Sequence, residues 1–174
     1  MNTNFVRALT GISHSRWYWL MYIVGGISML ALALYHQYIL NEEPCVLCIH
    51  TRLWVLLLII AAITGLFSRG NRVVNTSAHI SLVITAVGLM YNSYQLLGTE
   101  RGFIAGAYNF DLGLPEWLAV EQWAPWLFRV ETTCGYTPEI AFGITMAETL
   151  MLMSVGMFII SLIITMASLA RYKA

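Results

Sequence analysis

The sequence predicts an all-α membrane protein: a four-helix transmembrane bundle with a short amphipathic interfacial helix in its second outer loop. Three observations carry that prediction. The first is composition: of 174 residues, 59% are hydrophobic and only 10% charged. A soluble domain carries roughly a quarter charged residues, so this chain cannot clothe a water-facing surface. Second, four continuous apolar stretches cover about 17–38, 49–67, 78–97 and 145–169. At about 1.5 Å of rise per residue, each can cross a hydrocarbon layer of about 30 Å as a helix. Third, the charges are segregated by segment, which orients the spans.

Taken in order, the first stretch follows Arg7 and Arg16 and contains Ala31-Leu32-Ala33, which resembles a signal-peptide cleavage site. Its apolar length exceeds the roughly 7–15 residues of a signal core, so it reads as a retained first span. The loop of about 39–48 leads into the second span. The connection of about 68–77 is short, which suits antiparallel neighbours. The third span ends in a long loop, about 98–144, and the fourth span closes the chain. Strands are disfavoured because the runs are continuous rather than alternating, and helices satisfy their own backbone in lipid. The whole chain, 1–174, reads as one membrane domain.

Arg7, Arg16, Arg69, Arg72, Arg171 and Lys173 lie in three segments that hold no acidic residue, while Glu42, Glu43, Glu100 and the remaining acids lie on the other side or at its rim. Positive charge stays cytoplasmic, so both termini are expected inside and all three cysteines outside.

Within the long loop, residues 115–128 mix three tryptophans with acids. Pro115 suits a first helical position, and Asp111 and Glu116 favour the helix start. A short helix lying at headgroup level follows. It either only anchors the loop or also limits how far Cys134 can wander.

Cys45-Val46-Leu47-Cys48 stands at the mouth of the second span, where a first helical turn stabilises a thiolate. An oxidising exterior favours redox use of such a pair. A static disulfide and half a zinc site remain open. Haem attachment is disfavoured because the histidine is His50, not the residue after Cys48. Zinc would need two more ligands, for which Cys134 with His36 or His50 is conceivable. Arg52 lies on the Cys48 face, about 6 Å deeper. It either snorkels to headgroups or hydrogen-bonds a polar group of a membrane-soluble ligand. Cys134, followed by Gly135, reads as an exposed thiol able to form mixed disulfides, or else as an inert leftover. His36 and Gln37 read as interface polars, with pocket lining the alternative. His79 reads as structural, and Glu148 as a headgroup or capping residue. Met146, Met151, Met153, Met157 and Met166 do not form a tight copper-binding face and read as packing.

On these residues the chain resembles the DsbB family, bacterial inner-membrane enzymes that reoxidise a periplasmic thiol oxidase and pass electrons to quinone. The likeness rests on four spans, Pro44-Cys45-Val46-Leu47-Cys48-Ile49, Arg52, Pro115-Glu116-Trp117-Leu118 and Cys134. It implies that Cys45 exchanges with the loop, that Cys48 and Arg52 face ubiquinone or menaquinone, and that Cys134 is the second loop cysteine. It also implies a DsbA-like partner, the quinone pool and the lipid bilayer, with no nucleic acid and no metal. The inner membrane would be the location, with the redox cysteines periplasmic.

One departure stands out. The family's first loop cysteine falls seven residues before Pro-Glu-Trp-Leu, where this chain has Tyr108. Tyrosine forms no disulfide, so exchange with the soluble partner is expected to be impaired. A chain altered to hold the relay at one stage, a divergent member in which Cys134 works alone, and a redesigned sequence all fit this pattern. A family histidine on the third span also aligns with Gln95 here. A different class of function stays in play: a non-catalytic tetraspan scaffold or metal-handling protein with a structural C-x-x-C.

Overall fold

Three of the four apolar runs begin where a polar side chain takes over an unpaired N–H group of the first turn. The computed structural model describes residues 11, 15–68, 70–104, 111–135, 137, 139–141 and 143–173. Helix α1 (Arg16–Tyr38) starts at Ser15, whose hydroxyl accepts from the Trp17 N–H at 3.3 Å. Helix α2 (Val46–Phe67) has Cys45 as its extended N-cap. Helix α3 (Arg72–Glu100) is capped by Asn71, which accepts from Val73 N–H at 3.1 Å. These three helices and the last are long and apolar enough to cross a membrane.

The second loop holds a 3-10 turn (Glu116–Leu118), α4 (Val120–Trp123) and α5 (Pro125–Phe128). The single short helix expected here is instead broken into three successive turns. Pro125 explains one break: its ring disfavours helical geometry at the preceding residue, and Ala124 sits at φ −141°, ψ 70°. Trp117, Trp123 and Trp126 are all exposed. Two short strands, β1 (Glu139–Ala141) and β2 (Ile144–Thr145), pair antiparallel before α6 (Met146–Lys173). Thr145 and Glu148 form a capping box at the start of α6: each accepts from the other's N–H at 3.3 Å. Glu148 also pairs with Arg101, so it is a cap tied to the loop.

Helix α3 runs six residues earlier than its apolar stretch: Asn71 caps it there, and of the added residues Asn75 turns inward. Asn75 and His79 are fully buried, and His79 lies 4.7 Å from the Trp19 ring centroid. Small residues let the helices close up. A Cβ on Gly65 would meet the Trp19 ring at 2.3 Å, and one on Gly88 would meet Trp54 at 2.5 Å. Gly65→Ala is expected to destabilise the bundle by about 1–3 kcal/mol through overpacking, read as a lower thermal midpoint in detergent.

In the bundle, α2 packs on α1 and α3, and α3 packs on α6. Helices α1 and α6 pack less closely than these pairs and are bridged where the Tyr22 hydroxyl donates to the Met157 carbonyl at 3.3 Å. A seam therefore opens between them toward the cysteine end.

Candidate functional site

At the start of α2 the local sequence sets the sulfur geometry. Cys45 caps the helix and Cys48 completes its first turn, so their Sγ atoms face each other at 3.2 Å. Both are free thiols, and a disulfide at about 2.05 Å needs only a small further approach. Asn92 of α3 buttresses this turn, donating to the Leu47 carbonyl at 3.0 Å and to Thr51 Oγ1 at 2.8 Å.

The long loop returns to this turn by backbone pairing. Glu131 N–H donates to the Pro44 carbonyl at 2.9 Å, and Thr132 pairs with Cys45 in a parallel bridge. That pairing brings Cys134 onto Cys45, within hydrogen-bonding reach of its thiol and of the Val46 and Leu47 N–H groups. Cys134 is thus not the exposed thiol expected from its glycine neighbour. It is only 6% accessible, because the loop backbone folds it beneath Thr132 and over the helix start.

Three sulfurs in a row share out their protons. The hydrogen bond donated by Cys45 holds the Cys134 thiol down at about 6, against the opposing cost of burial and with help from the Leu47 and Val46 N–H groups. Cys45 is pushed up, because its one S–H hydrogen is held between Cys134 and Cys48 and burial also disfavours its thiolate. A depressed pKa stabilises the fold fully above the unfolded thiol value and loses that contribution as pH falls through 6. Thiolate absorbance of the reduced protein, minus that of Cys134→Ser, is expected to titrate with a midpoint near 6.

Arg52 sits one turn below Cys48 and is buried, with 4% exposure. It does not snorkel to the surface. Its Nη1 donates to Gln37 Oε1 of α1 at 2.8 Å and to the Leu127 carbonyl of α5 at 2.6 Å, while its Nε has no partner. The guanidinium therefore ties α1, α2 and the loop together at one point.

Beside Arg52 lies a cavity of ≈ 940 Å³, its open mouth included. Cys48, Arg52, His36 and Gln37 line it among mostly apolar side chains from α1, α2, α3 and α6. Leu32 and Met153 also line it and are exposed on the bundle's perimeter, so the cavity opens sideways through the α1–α6 seam. His36 and Gln37, read as interface polars, are both buried at this wall. Gln95 lies outside the cavity lining and donates to the Tyr91 hydroxyl at 3.0 Å.

Other ties escape the sequence. His50 Nε2 bonds the Leu112 carbonyl at 2.9 Å, and the Tyr38 hydroxyl donates to the Trp126 carbonyl at 2.6 Å. Among the described residues, no three His, Cys, Asp or Glu side chains gather to hold a metal ion. Tyr108 lies outside the described residues.

Residues 15–164 match the DsbB family, described as Disulfide bond formation protein DsbB. The chain belongs to the DsbB family. Its relatives include Disulfide bond formation protein B 2 of Pseudomonas aeruginosa, 30% identical over 90% of this chain and 91% of that one. Disulfide bond formation protein B of Idiomarina loihiensis is 31% identical over 84% and 82%. That of Psychromonas ingrahamii is 32% identical over 73% and 69%.

Proposed function

We propose that this protein is a DsbB-type thiol:quinone oxidoreductase of the bacterial inner membrane, generating disulfides for a periplasmic DsbA-like oxidase. One observation carries the reading: Cys48, next to Cys45, and the buried Arg52 line the same laterally open apolar cavity. That cavity suits a membrane-soluble ring. Its walls are apolar, and the buried Arg52 Nε and His36 Nδ1 lack partners, which a ring with acceptor oxygens would relieve. Ubiquinone and menaquinone both carry such oxygens.

The chain's own residues do the following. Cys134, as its thiolate, attacks Cys45 of a Cys45–Cys48 disulfide; the Cys45–Cys134 bond forms, and Cys48 leaves as thiolate. A partner thiolate then attacks Cys134, Cys45 leaves as thiolate, and the partner's second thiol releases Cys134, leaving the partner oxidised by two electrons. Arg52, one turn below Cys48, stabilises negative charge there and offers its free N–H to a ring oxygen. A quinone held there would supply the electron sink for closing Cys45 and Cys48 again, a change of two electrons and two protons.

The membrane arrangement belongs to the same proposal: one membrane unit with cytoplasmic termini, periplasmic sulfurs and exposed loop tryptophans at the lipid interface. The basic residues at the far end of the helices support that orientation. With Tyr108 in place of a cysteine, turnover with the soluble partner is weak, because Cys134 is buried and has no loop mate to present a reachable disulfide.

The quinone half-reaction at Cys45 and Cys48 is expected to survive. Reduced protein mixed with ubiquinone-1 should lose two thiols per chain as quinone absorbance falls, and Cys48→Ser should do neither. Stoichiometric zinc or copper, with no quinone reduction by the intact chain, would instead favour a metal-handling scaffold.

A further inference from the structure

Arg52 is not the cavity's only polar group short of a partner. His36, on α1, lines the same wall, is 6% exposed, and its Nδ1 has no hydrogen-bond partner. Its neighbour Gln37 is already committed through Oε1 to Arg52. A ring contact with Tyr35, centroids 6.1 Å apart and edge-on, gives Nδ1 no hydrogen-bond partner. A buried polar nitrogen without a partner carries a real desolvation cost. The position therefore asks for a ligand atom.

We infer that His36 is a second polar contact for the bound quinone, its imidazole donating a hydrogen bond to one ring carbonyl while Arg52 serves the other. The inference rests on the quinone reading above. Its chemistry is simple. A quinone carbonyl only accepts, and a neutral imidazole always has one N–H to give. Contacts from two helices orient a ring in a way that one contact cannot. Because α1 flanks the seam through which the cavity opens, His36 meets the ring from the entry side while Arg52 meets it beneath Cys48.

The test uses the full chain in detergent, titrated with ubiquinone-1 and examined by infrared difference spectroscopy of the bound carbonyls. His36→Leu is expected to bind about ten-fold more weakly, which corresponds to about 1.4 kcal/mol. One carbonyl stretch should move back toward its free frequency. His36→Gln, which keeps an N–H donor, should restore most of the affinity and the shifted stretch. Unchanged affinity and unchanged stretches in His36→Leu would overturn the inference, as would equal losses in the Leu and Gln variants. If His36→Leu behaves as wild type while Arg52→Ala loses the ring, the quinone reading stands and only the role of His36 falls. If the wild type binds neither ubiquinone-1 nor a menaquinone analogue, both fall together.

Discussion

Arg52→Ala is expected to empty the cavity of quinone and loosen the second outer loop in a single step. The side chain is buried and spends one nitrogen on two acceptors, Gln37 Oε1 at 2.8 Å and the Leu127 carbonyl at 2.6 Å. Truncation leaves both acceptors without that donor, and a buried unsatisfied group costs about 1–3 kcal/mol. The loss falls on the joint between α5 and the bundle, three to seven residues before the strand-like contact that seats Cys134. Amide exchange over 127–134 should therefore speed up, and Cys134 should become easier to alkylate. Quinone affinity should fall by about 10- to 100-fold, since hydrogen bonds to charged groups contribute about 1.5–3 kcal/mol. Arg52→Lys keeps the charge but not the forked donor set, so it should recover part of the quinone binding and less of the loop order. Retained loop protection in Arg52→Ala, measured by hydrogen exchange, would contradict the joint role.

What the chain reveals on reading, and what it hides, follows from the range of the interactions. The four helices are legible because lipid imposes length and apolarity on each span separately. The Cys45/Cys48 turn is legible because both residues and Arg52 belong to one helix, where spacing alone fixes the face. Cys134 is different. Its seat depends on the Glu131 and Thr132 backbone finding Pro44, far away in sequence, and backbone partners leave no side-chain signature. The same holds for Arg52, one of whose acceptors is a main-chain carbonyl at Leu127. His36 and Gln37 looked like ordinary helix-end polars because nothing local says that α1 and α6 part beside them. The early start of α3 was hidden for another reason: Asn75 is polar yet buried, against the usual trend. Pro125, by contrast, was in plain sight as a helix breaker within residues 115–128.

Tyr108→Cys is expected to raise the rate at which the protein oxidises a reduced DsbA-like partner by about ten-fold or more, each factor of ten needing only about 1.4 kcal/mol off the barrier. In the parent chain the partner must reach Cys134, which is 6% accessible and packed over the start of α2. Opening that seat breaks the Glu131 and Thr132 pairing with Pro44 and uncovers Cys45. A cysteine at 108 would instead draw Cys134 into a loop disulfide whose other sulfur meets the partner first. Cys134 would then be the leaving thiolate. The released Cys134 thiolate would return to its seat beside Cys45 and attack there. Stopped-flow oxidation of reduced DsbA by the wild type, Tyr108→Cys and the double variant Tyr108→Cys/Cys134→Ser separates these steps. The double variant should fall back to the wild-type rate or below. Rapid oxidation by the wild type itself would mean that Cys134 reaches the partner unaided and that a second loop sulfur is dispensable.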